Sequence, residues 1–379
     1  MDAIARGATP GCVVLVAKDG RIAYQKTYGN FDYDKREPVQ PDAIYDMASV
    51  TKICATTLAL MKLYDEGRFD IKKRLGDYLP WVRGTSKENL LIEDILLHQA
   101  GFVAFIPFYK EVVTPAGIPI SKYFSPTQNE TYNIRVAENI FMRSDWKDTM
   151  YKRILQSPLG PKGKYIYSDN DFILLGKVVE AISGMPLDVY VAKEFYQPLG
   201  LNSTSFKPRE HFMLSQVVPT EQEKYFRLQH IRGDVHDPGA AMFGGVSGHA
   251  GLFSNAHDMA VVMQMLLDGG IFNDRQYIKK ETIQLFTGYH SNISRRAYGF
   301  DKPEKDNATR QEAYPCLLAS PFTFGHTGFT GTCVWADPAY RLVFVFLSNR
   351  IDPDSENKKL LNMNVRGKIM EAIYKAMGL

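Results

Sequence analysis

The chain begins and ends with the same local pattern, and that pattern constrains its fold more than anything between. Residues 12 to 17 (Cys-Val-Val-Leu-Val-Ala) and 21 to 28 flank Lys18-Asp19-Gly20, and Asp-Gly between two strand-length runs predicts a β-hairpin. Near the other end, Thr332 to Ala336 and Arg341 to Ser348 flank Asp337-Pro-Ala-Tyr340, a second hairpin, and Lys358 to Met377 then shows helical periodicity. The sequence between is mostly helical. One antiparallel sheet built from both chain ends, interrupted by a helical lobe, satisfies these patterns. The expected class is α+β, one domain over residues 1–379, with a sheet lobe from 1–48 and about 255–379 and a mainly helical lobe from about 49–254. An active site would lie between the lobes.

Composition narrows the function classes. A 379-residue chain with 45% apolar and 23% charged residues is globular, and a net charge of +3 carried by scattered basic residues gives no nucleic-acid surface. Cys12, Cys54, Cys316 and Cys333 lack metal or redox spacing and are expected as buried free thiols. No apolar stretch reaches the ~18 residues of a transmembrane helix, and no signal sequence is visible. Ile4-Ala5-Arg6-Gly7 looks like the end of a helix, an abrupt start that suggests excision from a longer chain.

Three Ser-x-x-Lys tetrapeptides occur: Ser49/Lys52, Ser144/Lys147 and Ser355/Lys358. The last two lie in polar stretches, where Ser is a helix cap or a solvated loop residue. Ser49 opens an almost all-round apolar helix (Ile53, Cys54, Ala55, Leu58, Ala59, Leu60, Met61, Leu63) that should be buried. One turn on, Lys52 shares the face of Ser49, and a buried ammonium needs a partner or a function because desolvation lowers its pKa. That makes Ser49 a candidate nucleophile.

Two further motifs follow. Tyr167-Ser168-Asp169-Asn170 precedes an amphipathic helix that ends at Ser183-Gly184, which sets Tyr167 before a helix N-terminus where a phenolate is favoured and can act as base, although taken alone an ordinary half-buried tyrosine is the simpler reading. Phe324-Gly-His326-Thr327-Gly328-Phe329-Thr-Gly331 stands ahead of a strand, where glycines let backbone approach a ligand and His326 or Thr327 can fix a substrate carboxylate. Between residues 102 and 165 an irregular segment rich in aromatics and prolines suggests a binding wall or lid, or else a satellite core.

In this order and with these neighbours, Ser-x-x-Lys, Tyr-x-Asp and His-Thr-Gly resemble the serine hydrolases of the class C β-lactamase and D-alanyl-D-alanine carboxypeptidase superfamily. Asp46-Met-Ala-Ser49, Leu96-Leu-His-Gln-Ala-Gly101, Tyr167-Ser-Asp-x-x-Phe-x-Leu-Leu-Gly176 and Gly251-Leu-Phe-Ser-Asn-Ala-His-Asp258 carry the resemblance over nearly the whole chain. It implies a β-lactamase/transpeptidase-like fold, Ser49 as nucleophile, Lys52 and Tyr167 sharing the proton transfers, His326 completing the catalytic set, and an oxyanion hole from the backbone amides of Ser49 and Phe329. Asp169, Thr327 and Gly328 would bind substrate. No metal and no cofactor is implied, and the family setting is periplasmic or extracellular.

Two departures matter. Asp169 stands where β-lactamases of this class carry Asn, and His326 where they carry Lys; a His is only a conditional cation. Both point away from antibiotic hydrolysis and toward D-alanyl peptides of peptidoglycan origin. Ser168-Asp169-Asn170 also spells a motif of another β-lactamase class, but the following helix favours the Tyr167 frame. Gly233 to Gly251 resembles penicillin-binding-protein-like domains, some fused to family three β-N-acetylhexosaminidases; Asp237 and His249 are expected as a pair beside the pocket, and His236, Asp237 and His249 fit no common metal site. The competing expectations are a carboxylesterase or weak β-lactamase on the same residues, or a non-catalytic muropeptide-binding module attached to a glycosidase.

Overall fold

A computed structural model describes residues 1–161 and 163–379. Five strands form the central antiparallel sheet: β1 (Gly11–Lys18), β2 (Arg21–Gly29), β3 (Phe324–Thr327), β4 (Cys333–Asp337) and β5 (Leu342–Ser348), in the spatial order β3-β4-β5-β1-β2. The two ends of the chain meet where β1 pairs with β5, from Cys12 opposite Ser348 to Lys18 opposite Leu342. The first hairpin turns through Asp19 (φ 52°) and Gly20 (φ 75°), the two positive-φ positions of a type I′ turn. Asp19 is bonded to Arg341 of the second hairpin at 3.1 Å, so the two turns lie side by side.

Strand periodicity decides what covers the sheet. On β1 the side chains of Val13, Leu15 and Ala17 enter one apolar cluster, while Cys12, Val14 and Val16 enter another with Trp335, Phe344, Met370 and Tyr374. Helix α3 (Ala256–Leu267) supplies Met259, Val262 and Met263 to the first, and α4 (Val365–Ala376) covers the second. The periodicity over 358–377 is real but not continuous: Lys359–Asn362 and Val365–Ala376 are separate helices, parted where Asn364 adopts φ 48°. All four cysteines are free and buried.

The apolar run after Ser49 is the centre of the helical lobe. A turn at Ala48–Val50 leads into wider π-type turns over Lys52–Thr57 and then helix α1 (Leu58–Asp65), with every residue from Val50 to Met61 buried. Helix α2 (Asp169–Ser183) lies against it, and the glycine-rich loop presses onto α2 closely enough that a Cβ on Gly248 would stand 2.0 Å from the Phe172 carbonyl oxygen. The segment from 102 to 165 is part of the main core, to which it contributes Phe102, Phe108, Phe124, Met142 and Ile154. It contains three short paired strands (Phe124–Ser125, Ile134–Ala137, Ile140–Met142) and the helix Trp146–Gln156.

Candidate active site

Lys52 is fully buried and its ammonium is shared among three oxygens. Nζ donates to Ser49 Oγ at 2.9 Å, to Asp169 Oδ1 at 2.7 Å and to the His249 carbonyl at 3.1 Å. Burial works against this charge, but Asp169 and then Tyr167 outweigh it and hold the Lys52 proton more tightly than in an ordinary lysine. The sequence places Asp169 as a substrate-binding residue; in the structure it is the counter-ion of Lys52, bordering the cleft. A buried ammonium is stable only when so paired, and removing either partner strands the other.

Tyr167 sits directly before α2, half-buried, with the Lys52 ammonium 5.0 Å from its ring centre. The expected helix-terminus stabilisation of a phenolate does not win. Burial raises the phenol above its usual range, and the cations Lys52 and Arg296 offset this only in part, so the resting group is a phenol. The N-cap is Ser168, whose Oγ accepts from Asn170 N at 3.1 Å and donates to the Val103 carbonyl at 2.7 Å. Ser168 is thus a fully buried structural residue, and the Tyr167 frame is the one that faces the cleft. Beneath the Tyr167 ring, at 4.6 Å, lies His98 of the Leu96–Gly101 stretch. Its Nδ1 accepts from Ser168 N (3.2 Å) and faces Asp171 Oδ2 at 2.7 Å. Burial depresses the His98 pKa and raises that of Asp171, both directions disfavouring the charged forms.

His326 does not supply the cation that its motif position suggests. Its Nε2 lies 2.9 Å from Arg296 Nη1, and since a guanidinium only donates, Nε2 accepts and Nδ1 carries the hydrogen, bonded to the Thr327 carbonyl at 2.7 Å. Burial and then the Arg296 charge push its pKa down to about 3. The permanent cation is Arg296, itself buried, which also reaches Tyr165 Oη at 3.1 Å and stands 5.2 Å from the Tyr167 ring centre. Asp301 balances it from 3.6 Å and takes a bidentate pair from Arg295. Sequence reading misses Arg296 because it lies in an irregular loop; the only signal is two consecutive arginines in an otherwise mixed stretch.

The edge strand β3 is fixed against the nucleophile segment. Thr330 Oγ1 donates to the Asp46 carbonyl at 2.8 Å and Thr332 Oγ1 to that of Met47 at 3.2 Å. Gly328 is required here: a Cβ would lie 2.6 Å from the Met47 carbonyl oxygen and 2.2 Å from Thr332 Oγ1. The backbone of Gly328 and Phe329 therefore runs beside Ala48 and Ser49, and Thr327, Gly328 and Phe329 border the same cleft as Ser49, Tyr167 and His326. That cleft encloses about 1150 Å³. Among the described residues of the 102–165 segment, Phe105 and Tyr109 line it; more of the wall comes from residues 221–227, 236–238, 295–301 and 350–366, with His249, Ala250 and Tyr314.

Asp237 and His249 pair as expected, Oδ1 to Nε2 at 3.0 Å, with Ser247 Oγ on the other ring nitrogen at 2.8 Å. Asp237 also caps the short helix Pro238–Met242, accepting from Ala240 N at 2.7 Å. Burial opposes its charge, but His249 and that amide hold the carboxylate well below its usual range. His236 goes elsewhere, to Glu221 at 2.8 Å. Donor atoms of Asp169, Asp237 and His249 lie within 4.8 Å of one another, yet each is already engaged: Asp169 by Lys52, Asp237 and His249 by each other.

The Beta-lactamase family profile matches residues 2–365. A protein of Escherichia coli K12, provisionally named a D-alanyl-D-alanine carboxypeptidase, is 35% identical over 393 residues, spanning 96% of this chain and 84% of the relative. Among solved structures, the D-amino acid amidase of Ochrobactrum anthropi superposes with a TM-score of 0.67 at 15% identity (99% of this chain, 97% of that one). A class C β-lactamase of Rhodobacter sphaeroides gives 0.63 at 17% (96% of each). At such identities the structural likeness is one of fold.

Proposed function

Because the chain belongs to the β-lactamase family and is a serine hydrolase of the β-lactamase/DD-peptidase type, we propose that it hydrolyses D-alanyl peptides of cell-wall origin through an acyl-enzyme on Ser49. The observation that carries this reading is the buried ammonium of Lys52 bridging Ser49 Oγ and Asp169 Oδ1. In the resting state Lys52 is a donor, so it takes the Ser49 proton only as it passes one of its own to Tyr167, whose phenol proton goes to the leaving amine, and Asp169 stays the carboxylate that balances Lys52 throughout. Ser49 Oγ attacks the carbonyl, whose oxygen is received by the amides of Ser49 and Phe329, a donor pair of a kind worth about 3 kcal/mol per donor. Tyr167, held as a phenol, is suited to protonate the leaving amine, and water then releases the acyl group.

Two features favour a peptide over a β-lactam. The 35%-identical relative is named for that peptidase activity. Asp169 offers no amide donor to a substrate. Arg296, beside His326 and Thr327, is a permanent cation for a substrate carboxylate, which both kinds of substrate carry. An esterase using the same residues is the second reading, and the size of the cleft is compatible with it. None of the relatives reported above is named a glycosidase, and attachment to one is not part of the proposal. Release of D-alanine from a muropeptide, measured beside p-nitrophenyl ester and nitrocefin hydrolysis, tests the assignment. Turnover of the esters alone would overturn it.

A further inference from the structure

The cations of the cleft are treated in two ways. Arg295 and Arg296 share Asp301, and Lys52 has Asp169. Arg350 and Arg366 line the same cleft, and among the described residues neither has a carboxylate oxygen within 4.0 Å. Glu356, the acid that acts on Arg350 from a distance, is turned to Lys358 at 3.3 Å.

Arg350 is 3% exposed, its Nη1 donates to the carbonyls of Ser355 (3.2 Å) and Asn357 (2.6 Å), and its Nε is buried with no partner. Its stem runs under the His-Thr-Gly loop, with Cγ 3.2 Å from where a Cβ on Gly331 would stand, and its guanidinium carbon lies 4.7 Å from the Phe329 ring centre. Arg366 is half-buried and gives one bond, Nη1 to the Thr332 carbonyl at 3.0 Å. Two guanidinium groups near one another without a counter-ion repel. Burial and then Arg366 push the Arg350 pKa down to about 10. With Nη1 of Arg350 spent on the Ser355 and Asn357 carbonyls and Nε enclosed, Nη2 is the part of the guanidinium left to donate to a carboxylate oxygen in the cleft.

We infer that Arg350, assisted by Arg366, forms a subsite for a carboxylate on the acyl part of the substrate, so that the enzyme selects acidic acyl donors. The side of the scissile bond follows from the strand. Arg296 and His326 stand at one end of the 326–329 segment and Arg350 at the other, beyond Phe329. If the leaving group's carboxylate goes to the Arg296 end, the acyl chain runs past Phe329 toward Arg350. This assignment of sides rests on the proposed roles of Ser49 and Phe329, but not on the leaving group being D-alanine.

The test uses two p-nitrophenyl esters with acyl chains of equal length, the hydrogen glutarate and its uncharged glutaramate. One charge-assisted contact predicts that kcat/KM favours the acid about ten- to hundredfold at low salt, and that the preference shrinks as NaCl is raised. Arg350→Gln should bring the ratio to within about threefold of unity, and Arg350→Lys should recover part of it. If Arg350→Gln does not fold, Arg366→Gln and the salt dependence of the unaltered enzyme read the same subsite. Equal rates on the two esters in the unaltered enzyme would overturn the inference, as would an acid preference that survives in both glutamine variants. Since esters report the subsite and D-alanine release reports the peptidase reading, either can fail without the other.

Discussion

Ser49-Val-Thr-Lys52 and Ser355-Glu-Asn-Lys358 have the same spacing and border the same cleft, yet they are chemically unlike. Lys52 is fully buried and donates to Ser49 at 2.9 Å. The Lys358 side chain is 65% exposed and turns to Glu356, while Ser355 Oγ gives its hydrogen to Glu221 at 2.7 Å. The difference lies in the helix that follows. An apolar run draws Lys52 inward, where the fold must supply Asp169, whereas a polar run leaves Lys358 in water, where its ion pair is worth little. Ser355 is nonetheless no mere solvated loop residue: it joins Glu221 to the Arg350 loop in the cleft wall.

Substitutions sharpen this contrast in order of effect. Ser49→Ala should reduce hydrolysis by about 10⁴-fold or more, as removal of a nucleophile does, while Ser355→Ala and Ser144→Ala keep acylation; equal losses on a fluorophosphonate-labelling time course would break the comparison. Tyr167→Phe should slow hydrolysis by about 10²–10⁴-fold, and an unchanged rate would remove Tyr167 from the proton path. Asp169→Asn leaves the buried ammonium without its counter-ion and should cost about 3 kcal/mol in urea-monitored stability; Glu356→Gln, beside the exposed Lys358, should change it by less than about 0.5 kcal/mol.

A further effect appears only as pH falls. His326 is neutral in the fold, its pKa pushed down to about 3, against about 6.5 in the unfolded chain. Between these values the unfolded state binds the extra proton, so this contribution to stability is intact above about pH 6.5 and is lost as pH falls toward 3. His326→Gln should flatten the fall of Tm over that window. A mutant slope identical to that of the parent would mean that His326 is not held neutral by Arg296.

Much of the frame was legible because it is local. Asp19-Gly20 names its turn, and the all-round apolar helix separates Ser49 from Ser144 and Ser355. The charge assignments were not, because each depends on a partner far along the chain. Lys52 meets Asp169 across 117 positions of sequence, and His326 meets Arg296 across 30, only once the intervening chain has folded back. The family resemblance assigned Asp169 to substrate and residue type made His326 a conditional cation; the packed site adds that the first is the counter-ion of Lys52 and the second an acceptor from Arg296. His98 was legible only as part of the Leu96–Gly101 stretch and Asp171 not at all, since nothing in their spacing says that they meet beneath Tyr167.

The most direct measurement is peptide-mapped mass spectrometry after reaction with a fluorophosphonate, on the unaltered protein and on Ser49→Ala and Ser355→Ala. A single adduct on the peptide that contains Ser49, lost in Ser49→Ala and retained in Ser355→Ala, is the predicted result. An adduct on Ser355 or Ser168, or none at all, would contradict the assignment of the buried Ser49–Lys52–Asp169 bridge as the reactive centre.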